Sequence, residues 1–226
     1  MKISKCSTST EVVILLHGLA RTNRSMLKVE AALQKRGYQT YNCNYPSRTQ
    51  PIQLLSETFI SRAIDYCETT YSPNRIHFVT HSMGGILTRY YLSQHALSNL
   101  GRVVMLAPPN AGSELVDRLS GLQLFRFING PAGKQLGTTE SSLPNSLGAV
   151  DYEVGIIAGN KSLNALASAL IGTENDGKVS TNSARLDGMA DYIVLPYTHT
   201  FMMNRQEVID QILKFLKAGE FDHPTA

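Results

Sequence analysis

The chain has 226 residues, a formal net charge of +3 and an apolar fraction of 42%. That length suits a single α/β domain spanning residues 1–226, large enough to bury a core without a metal or disulfide staple. The basic residues are scattered, which excludes the concentrated Lys/Arg stripe of a nucleic-acid binder. No apolar run approaches the roughly 20 residues of a membrane span. The polar start Met1–Thr10, followed by the brief apolar run Val12–Leu16, does not make a signal peptide, so a cytoplasmic setting is expected. Three cysteines, Cys6, Cys43 and Cys67, match no zinc or redox spacing. Cys43 and Cys67 read as small buried apolar side chains, and reduced thiols agree with the cytoplasm. Neither a metal nor a cofactor is expected.

In chain order, Val12–Leu16 reads as a buried strand, Ser25–Lys35 as a helix ending near Gly37, and Tyr38–Tyr45 as a second strand closed by Pro46. Ile52, Leu55, Phe59, Ala63 and Cys67 give Ile52–Tyr71 a helical period, which Pro73-Asn74 breaks. Arg75–Thr80 is a strand, Met83–His95 a helix, and Arg102–Ala107 a strand stopped by Pro108-Pro109. Ser120–Val150 is irregular and rich in Gly, Pro and Ser. Its apolar residues, Phe125, Phe127 and Ile128 among them, are expected to border a ligand site or to cover the core. Tyr152–Ala158 and Tyr192–Leu195 are strands. Arg205–Lys217 is an amphipathic helix with Val208, Ile209, Ile212, Leu213 and Leu216 on one face and Gly219 just beyond it. Continuous apolar strands alternating with helices predict a mostly parallel sheet covered on both faces.

Chemistry concentrates at Arg75-Ile-His-Phe-Val-Thr-His-Ser82-Met-Gly-Gly, where a strand runs directly into a helix with Ser82 at the junction. Such a turn projects the hydroxyl above the sheet edge, and the helix start offers the Met83 N–H to a developing oxyanion. The plainer use of Ser82 is as a helix N-cap. The segment Thr80-His81-Ser82-Met83-Gly84 resembles the G-x-S-x-G elbow of the α/β-hydrolase superfamily, with Thr80 in place of the first glycine. Small lidless bacterial lipases resemble it in lacking that glycine, and the chain is also similar to bacterial hydrolases loosely described as lipases or acetyltransferases. The resemblance implies a single α/β-hydrolase domain without a large cap domain. After the first strand comes His17-Gly18-Leu19-Ala20-Arg21, and the resemblance implies that the Leu19 N–H is a second oxyanion donor. His17 reads as structural.

A serine hydroxyl needs a general base. Among six histidines, His77 lies within a strand, His81 adjoins Ser82 and should diverge from it, His95 ends a helix, and His223 lies in a tail expected to fray. His199 follows the last strand, where the superfamily carries its catalytic histidine. The acid is expected between them. Glu174-Asn-Asp176-Gly-Lys-Val resembles the D-G-x-V loop of lipases and esterases and points to Asp176, whose plainer reading is an Asp-Gly turn. Glu174, Asp187 and Asp191 are the other carboxylates here. Asp187, in the helix-like Ser183–Met189, and Asp191 lead to the far edge of the sheet. Asn110-Ala-Gly112-Ser113 reads as a structural turn before a helix capped near Ser113.

Taken together these residues predict a serine hydrolase that cleaves carboxylic esters through an acyl-enzyme on Ser82, with His199 as base, Asp176 as orienting acid, and Leu19 and Met83 as oxyanion donors. The expected partner is a small ester or acyl substrate. A thioesterase or acyltransferase would use the same parts, and a non-catalytic binding protein of this fold is the remaining alternative.

Overall fold

A computed structural model describes residues 10–119, 130–163 and 165–223. Among the described residues there are six strands: β1 (Glu11–Leu16), β2 (Gln39–Cys43), β3 (Arg75–His81), β4 (Leu100–Leu106), β5 (Val154–Gly159) and β6 (Asp191–Leu195). All pair in parallel, in the order β2-β1-β3-β4-β5-β6. Helices with both ends among the described residues include α1 (Leu27–Lys35), α2 (Ile52–Tyr71), α3 (Met83–Gln94), α4 (Glu114–Leu119), α5 (Leu143–Ser146), α6 (Ala165–Ile171) and α7 (Gln206–Ala218).

The strands are apolar on both sides because both sides are covered. Along β1, Val12, Ile14 and Leu16 face the layer of α2 and α3, among Leu55, Ile60, Ile86 and Leu87. Val13 and Leu15 face the other layer, among Val29, Leu33, Ile212 and Phe215 of α1 and α7. Each such side chain contributes roughly 1.5–3 kcal/mol when removed from water. The apolar stripe of α7 is what seats it, and the helix stops at Gly219, whose φ of +80° closes the last turn through its N–H and the Phe215 carbonyl.

Several boundaries differ from the sequence reading. The start of the Ser25–Lys35 segment is a 3-10 turn, Asn23–Met26, leaving α1 to begin at Leu27. Strand β2 stops at Cys43, because Tyr45 turns inward to hold the loop after β1. Ser183–Met189 is a series of turns rather than a helix, with Ala184 N–H on Ser180 O and Arg185 N–H on Asn182 O. His223 is not frayed: its Nε2 binds the Asp191 carboxylate at 2.9 Å. Phe125, Phe127 and Ile128 lie outside the described residues.

The chain goes outward from β1 to β2, then returns to place β3 on the other side of β1. The connections leaving β1 and β3 therefore diverge, and a crevice opens at their carboxyl ends, where ligands bind in open parallel sheets. The pairing of Leu16 with Thr80 sets the His17-Gly18-Leu19 turn directly beside Ser82.

Candidate active site

Ser82 bridges β3 and α3 with φ +53° and ψ −124°, a conformation that side-chain-bearing residues rarely adopt. Two hydrogen bonds hold it there: its N–H donates to the Leu106 carbonyl at 2.8 Å, and its carbonyl accepts from Gly85 N–H at 2.9 Å. The turn also requires close packing. A Cβ on Gly84 would meet the Leu16 carbonyl oxygen at 2.7 Å, and one on Gly18 would come within 3.1 Å of the Ser82 Cβ. Gly84 lets backbone approach backbone at the elbow, and Gly18 leaves room for the side chains of His81 and Ser82.

The loop after β1 is held by His17, which is wholly buried and stacks on Tyr45 at 4.0 Å. Its Nδ1 lies 2.9 Å from the Gly18 carbonyl and its Nε2 accepts the Tyr45 N–H at 3.3 Å. That pair of bonds fits a neutral ring carrying its proton on Nδ1. The Tyr45 hydroxyl donates in turn to the His17 carbonyl. Burial pulls the imidazole down to about 4, against backbone bonds that raise it. This histidine shapes the loop and faces no reacting atom.

Ser82, His199 and Asp176 form one hydrogen-bonded line. Ser82 Oγ lies 3.0 Å from His199 Nε2, and His199 Nδ1 lies 2.8 Å from Asp176 Oδ2. The second Asp176 oxygen, Oδ1, accepts the N–H groups of Lys178 and Val179 at 2.9 and 2.8 Å. Gly177, with φ +94°, supplies the tight turn these bonds need. The His199 N–H also donates to the Asp176 carbonyl at 3.0 Å, so the two residues are tied through backbone and side chain alike. Asp176 is 3% exposed, buried with both oxygens hydrogen-bonded.

The other carboxylates are engaged elsewhere. Glu174 accepts from Asn160 and Thr181. Asp191 receives the Phe221 N–H and His223 at the amino end of β6, and Asp187 is exposed at the turn beside Val150. His77 packs against Tyr38 and accepts the Arg102 N–H, while His95 binds Glu57. His81, next to Ser82 in sequence, meets His199. It is buried, its ring lies 4.9 Å from that of His199, and its Nε2 is 2.9 Å from the His199 carbonyl.

A cavity of about 230 Å³ opens at Ser82 and His199, walled by Leu19, Pro109, Val116, Leu136 and Val179. Ser113 lines it too. Rather than capping α4 with its hydroxyl, it donates from Oγ to the Lys178 carbonyl at 2.7 Å, tying α4 to the Asp176 loop. Leu19 lines this cavity and Met83 opens α3 directly after Ser82. Among the described residues neither of their backbone N–H groups donates to another group of the chain. Arg21 and Lys178 also border the cavity, and neither stood out in the sequence, since a lone Arg or Lys in a loop carries no signal. Among the described residues no helix is long and apolar enough to cross a membrane, and no His/Cys/Asp/Glu group is arranged to hold a metal.

The chain belongs to the α/β-hydrolase fold family, whose sequence profile matches residues 11–149. No curated protein sequence is significantly similar to it. Among solved structures it is similar to the mature lipase BlEst2 of Bacillus licheniformis, at 18% identity and TM-score 0.74, covering 96% of each chain. It is similar also to the phospholipase PlaB of Legionella pneumophila, at 17% identity and TM-score 0.76, covering 94% of this chain and 60% of that one. A Pyrococcus furiosus esterase matches at 16% identity and TM-score 0.65, covering 93% of this chain and 82% of the other.

Proposed function

We propose that this protein is a serine hydrolase that cleaves carboxylic esters through an acyl-enzyme on Ser82. The observation that carries the reading is the Ser82–His199–Asp176 line, with contacts of 3.0 and 2.8 Å, opening into an apolar cavity. The lipase, phospholipase and esterase among the structural neighbours support ester chemistry for this fold.

In this reading Ser82 Oγ attacks the ester carbon as its proton passes to His199 Nε2. The carbonyl oxygen becomes an oxyanion held by the N–H groups of Leu19 and Met83. Its charge then collapses back, the carbon–oxygen bond to the alcohol breaks, and the alcohol departs with the proton from His199. Water repeats the sequence: it gives a proton to His199, attacks the acyl carbon, and releases the acid as Ser82 Oγ recovers the proton. Asp176 keeps the imidazole proton on Nδ1 and stabilises the transient imidazolium. The strain at Ser82, held by Leu106 and Gly85, keeps the hydroxyl facing the cavity through both halves.

Ser82→Ala tests this. Turnover of p-nitrophenyl esters should fall by several powers of ten with the fold intact, because the three residues act as a unit. Undiminished turnover in a folded variant would overturn the assignment.

A further inference from the structure

We infer that the preferred substrates are esters whose leaving alcohol carries an oxyanion, a phosphate or a carboxylate, seated between Arg21 and Lys178. The inference rests on the serine-hydrolase reading above and adds the charge of the alcohol.

Two spaces meet at the catalytic line. The first is the apolar cavity that contains Ser82. The second, of about 280 Å³, lies beyond His199 and is bordered by Leu115, Leu163, Thr200 and Phe201. Ser82 does not line this second space; His199 and Lys178 line both. The attacked carbonyl must sit at Ser82, and the leaving oxygen must reach His199 Nε2 to collect its proton. The acyl chain therefore occupies the apolar cavity and the alcohol extends past His199.

Lys178 lines both spaces, and Arg21 lines the first and reaches the wall of the second at Thr200. Lys178 lies two residues beyond Asp176, and its backbone N–H binds the same carboxylate that holds His199. Arg21 donates from Nη2 to the carbonyl of Thr200, the residue after His199, at 3.2 Å. That bond uses one of five guanidinium donors. Neither residue has an ion-pair partner among the described residues beyond the influence of Asp176, and the residues outside them include no Asp or Glu. Lys178 is exposed as a residue, yet desolvation, then the repulsion of Arg21, pull its ammonium below the ordinary range, with Asp176 opposing. Two cations whose nearby carboxylate, Asp176, is already engaged by His199 and two backbone N–H groups attract a further anion, and a charge-assisted bond to an oxyanion satisfies both. A neutral alcohol would leave that repulsion in place.

The test uses two ester pairs with a common butyryl group: para-butyryloxybenzoate against para-butyryloxybenzamide, and butyrylglycerol phosphate against butyrylglycerol. Wild-type enzyme should favour the charged member of at least one pair by roughly fivefold or more in kcat/KM, mainly through KM, with the preference falling as salt rises. A preference confined to the glycerol pair assigns phosphate; one in the benzoate pair admits carboxylate. In Arg21→Gln/Lys178→Met the ratio should fall to about one. Should that variant not fold, Lys178→Met alone should still lower the ratio. Equal rates within both wild-type pairs, or a ratio unchanged in the variants, would overturn the inference while leaving the hydrolase reading standing. Failure to cleave any of the four esters would instead bring down the hydrolase reading, and the inference with it.

Discussion

His81 lies against His199: its Nε2 sits 2.9 Å from the His199 carbonyl, with the two rings 4.9 Å apart. With a carbonyl as partner, Nε2 must be the donor, so the His81 ring is neutral or fully protonated. Burial, then the nearby His199, pushes it well below the ordinary histidine range, so it is neutral. It is therefore a fixed donor to the His199 carbonyl, and if His199 is the base of the proposed reaction it positions that base. His81→Phe should keep the fold and lower kcat by about tenfold, the worth of one buried hydrogen bond. Steady-state kinetics beside a thermal melt will separate this from a loss of stability. A wild-type kcat in the variant would remove the positioning role.

Asp176→Asn should lower turnover by up to about ten-thousandfold, since an amide cannot hold the proton on His199 Nδ1. Glu174→Gln should stay close to wild type, because Glu174 answers Asn160 and Thr181 rather than His199. The opposite ranking of the two variants in an ester assay would move the acid to Glu174.

Gly84→Ala should disrupt the elbow. The new methyl would fall 2.7 Å from the Leu16 carbonyl oxygen and 3.0 Å from that of His17, both backbone atoms that cannot swing aside. A cost of about 1–3 kcal/mol is expected, with lost activity, because overpacking forces the backbone to shift. Urea unfolding measures it, and a variant as stable and active as wild type would contradict the close packing described.

Acid should destabilise the fold through its buried histidines. His17 stays neutral in the folded chain down to about 4, whereas in the unfolded chain it takes up a proton near the ordinary histidine value of 6.5. Below that value the unfolded state binds the proton first, so stability falls between about pH 6.5 and pH 4, and this contribution levels off once the folded ring is protonated. His17 alone accounts for about 3 kcal/mol across that window. Urea midpoints measured between about pH 7 and pH 5 should decline steeply in wild type and less in His17→Asn. An equal decline in both would show that His17 is not the source.

What the sequence made legible was local. The apolar runs of β1, β3 and β5 announce strands buried on both faces, and the strand–Ser82–helix junction and the Asp176-Gly177 turn each need their small residues within a few positions. What it hid depends on long-range packing. His81 meets His199 across 118 residues, a contact that adjacency in sequence to Ser82 does not reveal. Arg21 and Lys178 come together only because β1 and the Asp176 loop end at the same sheet edge. Helices α5 and α6 are too short to show a period, and His223 is ordered by Asp191, a partner 32 residues away.

The proposed activation of Ser82 as a nucleophile is tested most directly by fluorophosphonate labelling followed by peptide mapping. The probe should modify Ser82 and no other serine, and labelling should be lost in Ser82→Ala and greatly slowed in Asp176→Asn. Labelling at another serine, or no labelling of the folded wild-type protein, would contradict the account.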